Sequence, residues 1–132
     1  MTNAVMSKQL IITVNNKVGT LAEVTHVVSS VGINLIAVCA YAVDNKGVII
    51  FVTEDNSKAK KLLQDKKYDV REEDVILLSI DNKPGELEKV TQKIAKAGID
   101  VTLLYGSVEQ RGKTSRLILV SENNKAAFAA VQ

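Results

Sequence analysis

Sliding the sequence along itself by 66 residues brings Asn15-Asn16-Lys17-Val18-Gly19-Thr20-Leu21 onto Asp81-Asn82-Lys83-Pro84-Gly85-Glu86-Leu87. The register holds without a gap: Val24 and Thr25 fall on Val90 and Thr91, Val28 on Ile94, and Gly32-Ile33-Asn34 on Gly98-Ile99-Asp100. Across positions 15 to 36, eight of the 22 pairs are identical, at 16/82, 17/83, 19/85, 21/87, 24/90, 25/91, 32/98 and 33/99. Two unrelated amphipathic helices would share their apolar positions, but not both glycines and the Asn-Lys pair. The chain is a duplication, and its 132 residues divide into two small domains.

Each half reads the same way locally. Leu10 to Val14 and Val75 to Ile80 are short runs rich in Ile, Val and Leu, the pattern of a covered strand. The loops Asn16-Lys17-Val18-Gly19 and Asn82-Lys83-Pro84-Gly85 end those strands, because glycine opens a backbone conformation closed to other residues and proline cannot continue a strand. Apolar residues then recur at Leu21, Val24, Val28 and Val31, and at Leu87, Val90, Ile94 and Ala97, the spacing of one helix face. Gly32 and Gly98 suit the residue just past a helix end. A long strand follows, Ile33 to Val43 and Ile99 to Val108. Then come a turn at Asn45-Lys46-Gly47 or Gln110-Arg111-Gly112-Lys113 and a third strand, Val48 to Thr53 and Arg116 to Ser121. Asn56 or Ser57 is placed to cap a helix carrying Ala59, Leu62 and Leu63; Asn123 does the same ahead of Ala126, Ala127 and Ala130.

The first half closes with a short strand, Tyr68 to Arg71, giving the order strand, helix, strand, strand, helix, strand of a ferredoxin-like sandwich. The second half reaches Gln132 in or just after its second helix and lacks that strand. The expected architecture is therefore α+β, two ferredoxin-like βαββαβ sandwiches, the second lacking its last strand. The domains are expected at 1–73, with 1–7 as an N-terminal lead, and at 74–132. The strand Val75 to Ile80 then has an open edge. A partner chain or the segment Thr2 to Ser7 fills it, or the true end has been trimmed.

Composition narrows the function. Lys plus Arg number 17 against 15 Asp plus Glu, so a net charge of +2 exerts no strong pull on nucleic acid or anionic lipid. The longest apolar run, Leu35 to Val43, is nine residues, far short of the roughly 18 to 20 of a membrane span. Met1 to Ser7 has no features of a secretory signal, so a cytoplasmic location is expected. With one cysteine, Cys39, and one histidine, His26, there is no set of sulfur or imidazole ligands for a metal, and no cofactor is expected. Catalytic pairs would all depend on His26, which reads as part of a solvated helix face, while Cys39 reads as a packed thiol in an apolar strand. The loops hold one glycine each and lack dinucleotide and Walker signatures. Five aromatic residues in apolar surroundings do not make an RNA-binding sheet. An enzyme is not expected.

Polar groups recur at equivalent loop positions: Asn16 and Asn34 in one half, Asn82 and Asp100 in the other. The loops after the first strand and first helix are expected at one end of the sheet, where these side chains converge on a small ligand. Amides, helix-start N–H groups and a carboxylate would together suit an amino acid. The alternative is that these residues only stabilise their own turns.

The pattern Asn-Lys-Pro-Gly-x-Leu, Val three residues on, then Gly-Ile-Asp or Gly-Ile-Asn opening a long strand resembles the ACT domain. Both halves match it, so the resemblance spans nearly the whole chain and is strongest to free-standing tandem ACT proteins. Val18 replaces the usual proline, and Val14 and Ile80 stand where a polar residue is often found. The resemblance implies a non-enzymatic regulatory protein that binds an amino acid or related small carboxylate at ACT domain interfaces. It places ligand contacts near Asn16, Gly19 and Asn34 and near Asn82, Gly85 and Asp100. It also implies a metabolic enzyme as a partner, such as an aryl-acid CoA ligase. A ligand-free adaptor or regulatory subunit is the alternative. The strand Ile33 to Val43 is apolar on both faces, and the small Ala37, Ala40, Ala42 and Gly106 permit close approach, so at least a homodimer is expected.

Overall fold

The computed structural model describes residues 3–107 and 113–132. Ten elements follow in chain order: β1 (Asn3–Asn15), α1 (Thr20–Ser29), β2 (Leu35–Val43), β3 (Lys46–Thr53), α2 (Asn56–Asp65), β4 (Asp69–Asp81), α3 (Glu86–Lys96), β5 (Val101–Ser107), β6 (Thr114–Ser121) and α4 (Asn124–Val131). Among the described residues, four helices and six strands make an α+β fold. No helix among the described residues is long and apolar enough to cross a membrane.

The strands Tyr68 to Arg71 and Val75 to Ile80, separate in sequence, are one strand, β4. Glu72, Glu73 and Asp74 carry no turn residue, so the backbone stays extended through them. Likewise β1 begins at Asn3, well before Leu10. Residues cluster into two units, Lys8–Glu73 and a second one made of Met1–Ser7 with Asp74–Gln132. In the Lys8–Glu73 unit the strand order is β2-β3-β1-β4; in the other it is β1-β4-β6-β5. In the unit that contains Asp74–Gln132, the front of β1 thus occupies the place next to β4.

The two cores show how faithful the substitution is. One gathers Leu10, Ile12, Val24, Val28, Ile49, Phe51, Ala59, Leu63 and Val70; the other gathers Ile76, Leu78, Ile80, Val90, Ile94, Leu117, Leu119, Ala127 and Val131. Leu10, Ile12, Val24 and Val28 correspond to Ile76, Leu78, Val90 and Ile94 at the repeat offset. Sixty-six residues before Val70 stands Ala4, which packs against the second core. Residues 3–7 therefore act as the second unit's closing strand, as Asp69–Glu73 do in the first.

Register explains several local features. β1 and β3 are antiparallel with Leu10 opposite Phe51 and Val14 opposite Gly47, and β4 and β6 match them with Ile76 opposite Leu119. The β2–β3 turn is Asp44-Asn45, with Asp44 at φ 54°, and Gly47 lies inside β3 rather than in the turn. A Cβ there would stand 2.9 Å from Val14 Cγ2, so any larger residue would force Val14 to shift. Of the second turn only Lys113 is described; Val108 and Gln110 to Gly112 lie outside the described residues. Gly32 and Gly98 hold left-handed φ of 73° and 74° past their helices. Ile33 and Ile99 fold down onto the cores, so β2 and β5 begin two residues later than the apolar pattern suggests.

Asp55, not Asn56 or Ser57, caps α2, accepting from Lys58 N at 3.1 Å; Asn123 caps α4 through Ala126 N at the same distance. Asn56 instead turns backward. Its Oδ1 accepts from Thr53 N and Thr53 Oγ1, at 3.0 and 2.7 Å, and its Nδ2 donates to Lys8 O at 2.9 Å.

Candidate functional site

The loop between first strand and first helix is built on the same plan in both units. Asn16 N donates to Asn45 O at 2.8 Å, tying the loop to the β2–β3 turn, and Asn82 N donates to Lys113 O at 2.8 Å. Gly19 and Gly85 follow at φ 92° and 89°, and the helices start at the next residue. Thr20 N bonds Lys17 O, and Glu86 N bonds Lys83 O, both at 3.3 Å. Neither glycine supplies a side-chain cap, so first-turn N–H groups of α1 and α3 keep their positive end available to an anion.

Asn34 and Asp100 lie elsewhere. Asn34 O accepts from Glu54 N at 3.1 Å, and Asp100 O accepts from Glu122 N at 3.0 Å, beyond the ends of β3 and β6. Asn16 is anchored to Asn45 and Asn34 to Glu54. Those anchors are separated by the length of β3, roughly 30 Å at about 3.3 Å per residue. Within one unit the two loops therefore sit at opposite ends of the sheet and do not converge, contrary to the sequence expectation. The reason is topological: a helix returns the chain to the starting end of its strand, so the loops before and after it cannot share an end. Asp100 is further engaged through its own N–H, which donates to Glu122 Oε1 at 3.1 Å.

What lies beside the Asn16 to Gly19 loop is an open cleft of about 400 Å³ within the Lys8–Glu73 unit. Lys17, Thr20 and Glu23 come from the loop and α1, Lys46 from β3, and Lys67 and Tyr68 from the approach to β4. Lys46 Nζ donates to Asn15 Oδ1 at 3.1 Å, and the Tyr68 hydroxyl donates to Glu23 Oε2 at 3.2 Å. Burial and the Glu23 carboxylate together raise the Tyr68 hydroxyl above its ordinary pKa. Thr20 and its neighbours in this cleft were not singled out in the sequence. The signal available was the one polar mismatch at the first helical position, Thr20 against Glu86.

Glu86 is buried at 5% exposure, with Oε1 3.0 Å from Lys89 Nζ and 3.8 Å from Lys83 Nζ. The Lys89 hydrogen bond, with the charges of Lys89 and Lys83, holds its carboxyl below the usual glutamate range despite partial desolvation. His26 is exposed and Cys39 is a half-buried free thiol. Among the described residues no group of three or more His, Cys, Asp or Glu side chains is placed to hold a metal ion.

The sequence profile described as an ACT domain pair matches residues 5–131. The chain belongs to the ACT domain pair family. Among solved structures, this ACT domain pair is similar to protein BT0572 from Bacteroides thetaiotaomicron, at 30% identity and a TM-score of 0.89, over 96% of this chain and 87% of that one. It also shares its fold with the regulatory subunit of aspartate kinase from Thermus thermophilus in a ligand-free form, at 16% identity and a TM-score of 0.67, over 97% and 93% of the two chains. The corresponding subunit from Thermus flavus gives 17% and 0.69, over 98% and 94%. A search of curated protein sequences finds no match. None of these likenesses indicates a catalytic family.

Proposed function

We propose that this ACT domain pair is a non-enzymatic regulatory protein of the cytoplasm that binds an amino acid or related small carboxylate and acts on a metabolic enzyme, of which an aryl-acid CoA ligase is one candidate. The observation that carries the reading is the loop-to-helix junction. Both units keep an uncapped helix N-terminus behind a left-handed glycine, an arrangement suited to a small carboxylate. The fold shared with aspartate kinase regulatory subunits supports a regulatory rather than catalytic role.

The proposed ligand contacts are Asn16, Gly19 and Asn34, and Asn82, Gly85 and Asp100. Because Asn16 and Asn34 are far apart within a unit, a ligand meeting both would lie between two copies of the chain. Homodimerisation is part of the proposal for that reason. The exposed apolar residues of β2, Val38 at 52% and Val43 at 57%, favour it further. That same surface favours the second reading, an adaptor that has lost its ligand and works by protein contacts alone.

Thermal denaturation against the twenty amino acids and a few aryl acids separates the two. A ligand at a hundred times its Kd stabilises the fold by about 2.7 kcal/mol, a clear rise in Tm. Asn16→Ala with Asn82→Ala is expected to remove that rise with the fold intact. No response to any compound favours the adaptor, and light scattering that finds only monomer at micromolar concentration refutes the dimer.

A further inference from the structure

Helix α2 concentrates the chain's positive charge. Residues 56–67 hold five lysines, Lys58, Lys60, Lys61, Lys66 and Lys67, against Asp65 alone, a net +4 that leaves the rest of a chain of net +2 at −2. Lys66 and Lys67 follow the helix, where a cation suits the dipole. Lys58 does not: it lies in the first turn, which holds no acidic residue, and Lys60 and Lys61 lie mid-helix, beyond the reach of either end. α3 shows the arrangement that helix stability favours, with Glu86 and Glu88 in its first turn and Lys93 and Lys96 in its last. Nor does the module need these lysines. Aligned on their caps, Asp55 and Asn123, α2 and α4 bury Ala59 and Leu63, and Ala127 and Val131, at matching positions, while Lys58, Lys60 and Lys61 correspond to Ala126, Phe128 and Ala129. Among the described residues, none of the five lysine ammonium groups takes part in an ion pair or a side-chain hydrogen bond. Helical periodicity puts Lys61 on the side opposite Ala59 and Leu63, flanked by the exposed Ser57, Lys58, Gln64 and Asp65.

We propose that the lysine face of α2 is the surface on which this protein meets the enzyme it regulates, and that what docks there is an acidic protein surface. Lys58 and Lys61 stand three apart on the helix, where like charges repel, and that repulsion is relieved when acidic side chains arrive from outside. Phosphate-rich partners fit less well, because every cation is a lysine, without the fork by which arginine grips phosphate. A lipid surface also fits less well, since the exposed neighbours Ser57, Gln64 and Asp65 offer nothing apolar to insert. An encounter of this kind gains association rate more than affinity, which suits a regulator that binds and releases. This inference rests on the regulatory reading above and gives its protein contact a place. Lys58, Lys60 and Lys61 do not line the cleft beside the Asn16 to Gly19 loop, so the two surfaces can be altered separately.

The test is an amide-resolved NMR titration of the full chain with an oligoglutamate peptide, with a DNA duplex and with phosphatidylserine vesicles. The peptide is expected to shift Ser57, Lys58, Lys61 and Gln64 and to leave Lys125 and Ala129 of α4 in place. Its binding should be several-fold weaker at about 0.15 M salt than at low salt. Lys58→Glu with Lys61→Glu is expected to abolish those shifts with the rest of the spectrum unchanged, and Lys58→Arg with Lys61→Arg should keep them. No shift on α2, shifts spread equally over α2 and α4, or an unchanged response in the glutamate double variant overturns the proposal. DNA or vesicles that bind at Lys58 and Lys61 more tightly than the peptide overturn the acidic-protein assignment. The regulatory reading fails separately. If an amino acid raises Tm while the peptide leaves α2 unmoved, sensing stands and this surface falls. If the peptide binds α2 and no amino acid raises Tm, this surface stands and the adaptor reading replaces sensing.

Discussion

Asn124 Nδ2 donates to Asp74 O at 2.8 Å, across fifty residues of sequence, and repeats the bond from Asn56 to Lys8 O. Asn124 Oδ1 meanwhile accepts from Ser121 N and Ser121 Oγ at 2.8 and 3.0 Å. One amide thus ties the start of a helix to the end of the preceding strand and to the first residue of its own unit's leading strand segment. Each unit is locked by the same three bonds. Replacing Asn124 or Asn56 with Ala leaves Asp74 O or Lys8 O and a backbone N–H without these partners. It should cost about 1–3 kcal/mol, read as a lower urea midpoint at unchanged m. Replacement by Asp keeps the acceptor and should cost less.

The closing strand contributed by residues 3–7 predicts an effect far from the chain's start. A chain beginning at Lys8 should lose hydrogen-exchange protection at Val75 to Ile80, next to which the front of β1 lies, while Ile49 to Phe51 stay protected. Attaching residues 1–7 after Gln132 through a flexible linker should restore it. Equal loss of protection in both units would contradict the assignment.

Gly19 and Gly106 are required for different reasons. At Gly19, φ is 92° and a Cβ would meet nothing within 4 Å, so Gly19→Ala costs backbone strain alone, about 1–2 kcal/mol, and Gly19→Asn costs less. At Gly106 a Cβ would collide with the Arg116 carbonyl and the Leu117 side chain on β6. Gly106→Ala should cost about 1–3 kcal/mol and loosen β5 from β6, visible as faster amide exchange there.

The Tyr68 hydroxyl, raised by burial and by Glu23, predicts a pH effect of definite sign. Its native value exceeds its unfolded one, so this contribution to stability is intact below about pH 10 and declines as pH rises through the native value. Phenolate absorbance should show Tyr68 as a late-titrating tyrosine, missing in Tyr68→Phe. Glu23→Gln should move it back toward the ordinary range. A Tyr68 hydroxyl that titrates in the ordinary tyrosine range would contradict the assignment.

The duplicated core was legible because both faces that build it are local patterns: Val24 and Val28 recur on a helix, Leu10 and Ile12 on a strand, and their partners follow 66 residues later. The glycines at 32 and 98 were legible for the same reason. The capping role of Asp55 was not, since Asp55, Asn56 and Ser57 are all competent caps and only the backward reach of Asn56 to Lys8 decides among them. Nor was the separation of Asn16 from Asn34, which depends on which end of β3 each loop meets.

Sequence alone thus determined the number of modules, their α+β order and the positions that fill each core, because periodicity and glycine placement act within a few turns of chain. Tertiary structure decided which segment closes the second module, where the loops lie, and that the Thr20 hydroxyl is buried without a partner among the described residues while the Glu86 carboxylate is paired. Each of those turns on contacts between residues distant in sequence, where a strand such as Asn3 to Ser7 can serve any edge whose register and core accept it.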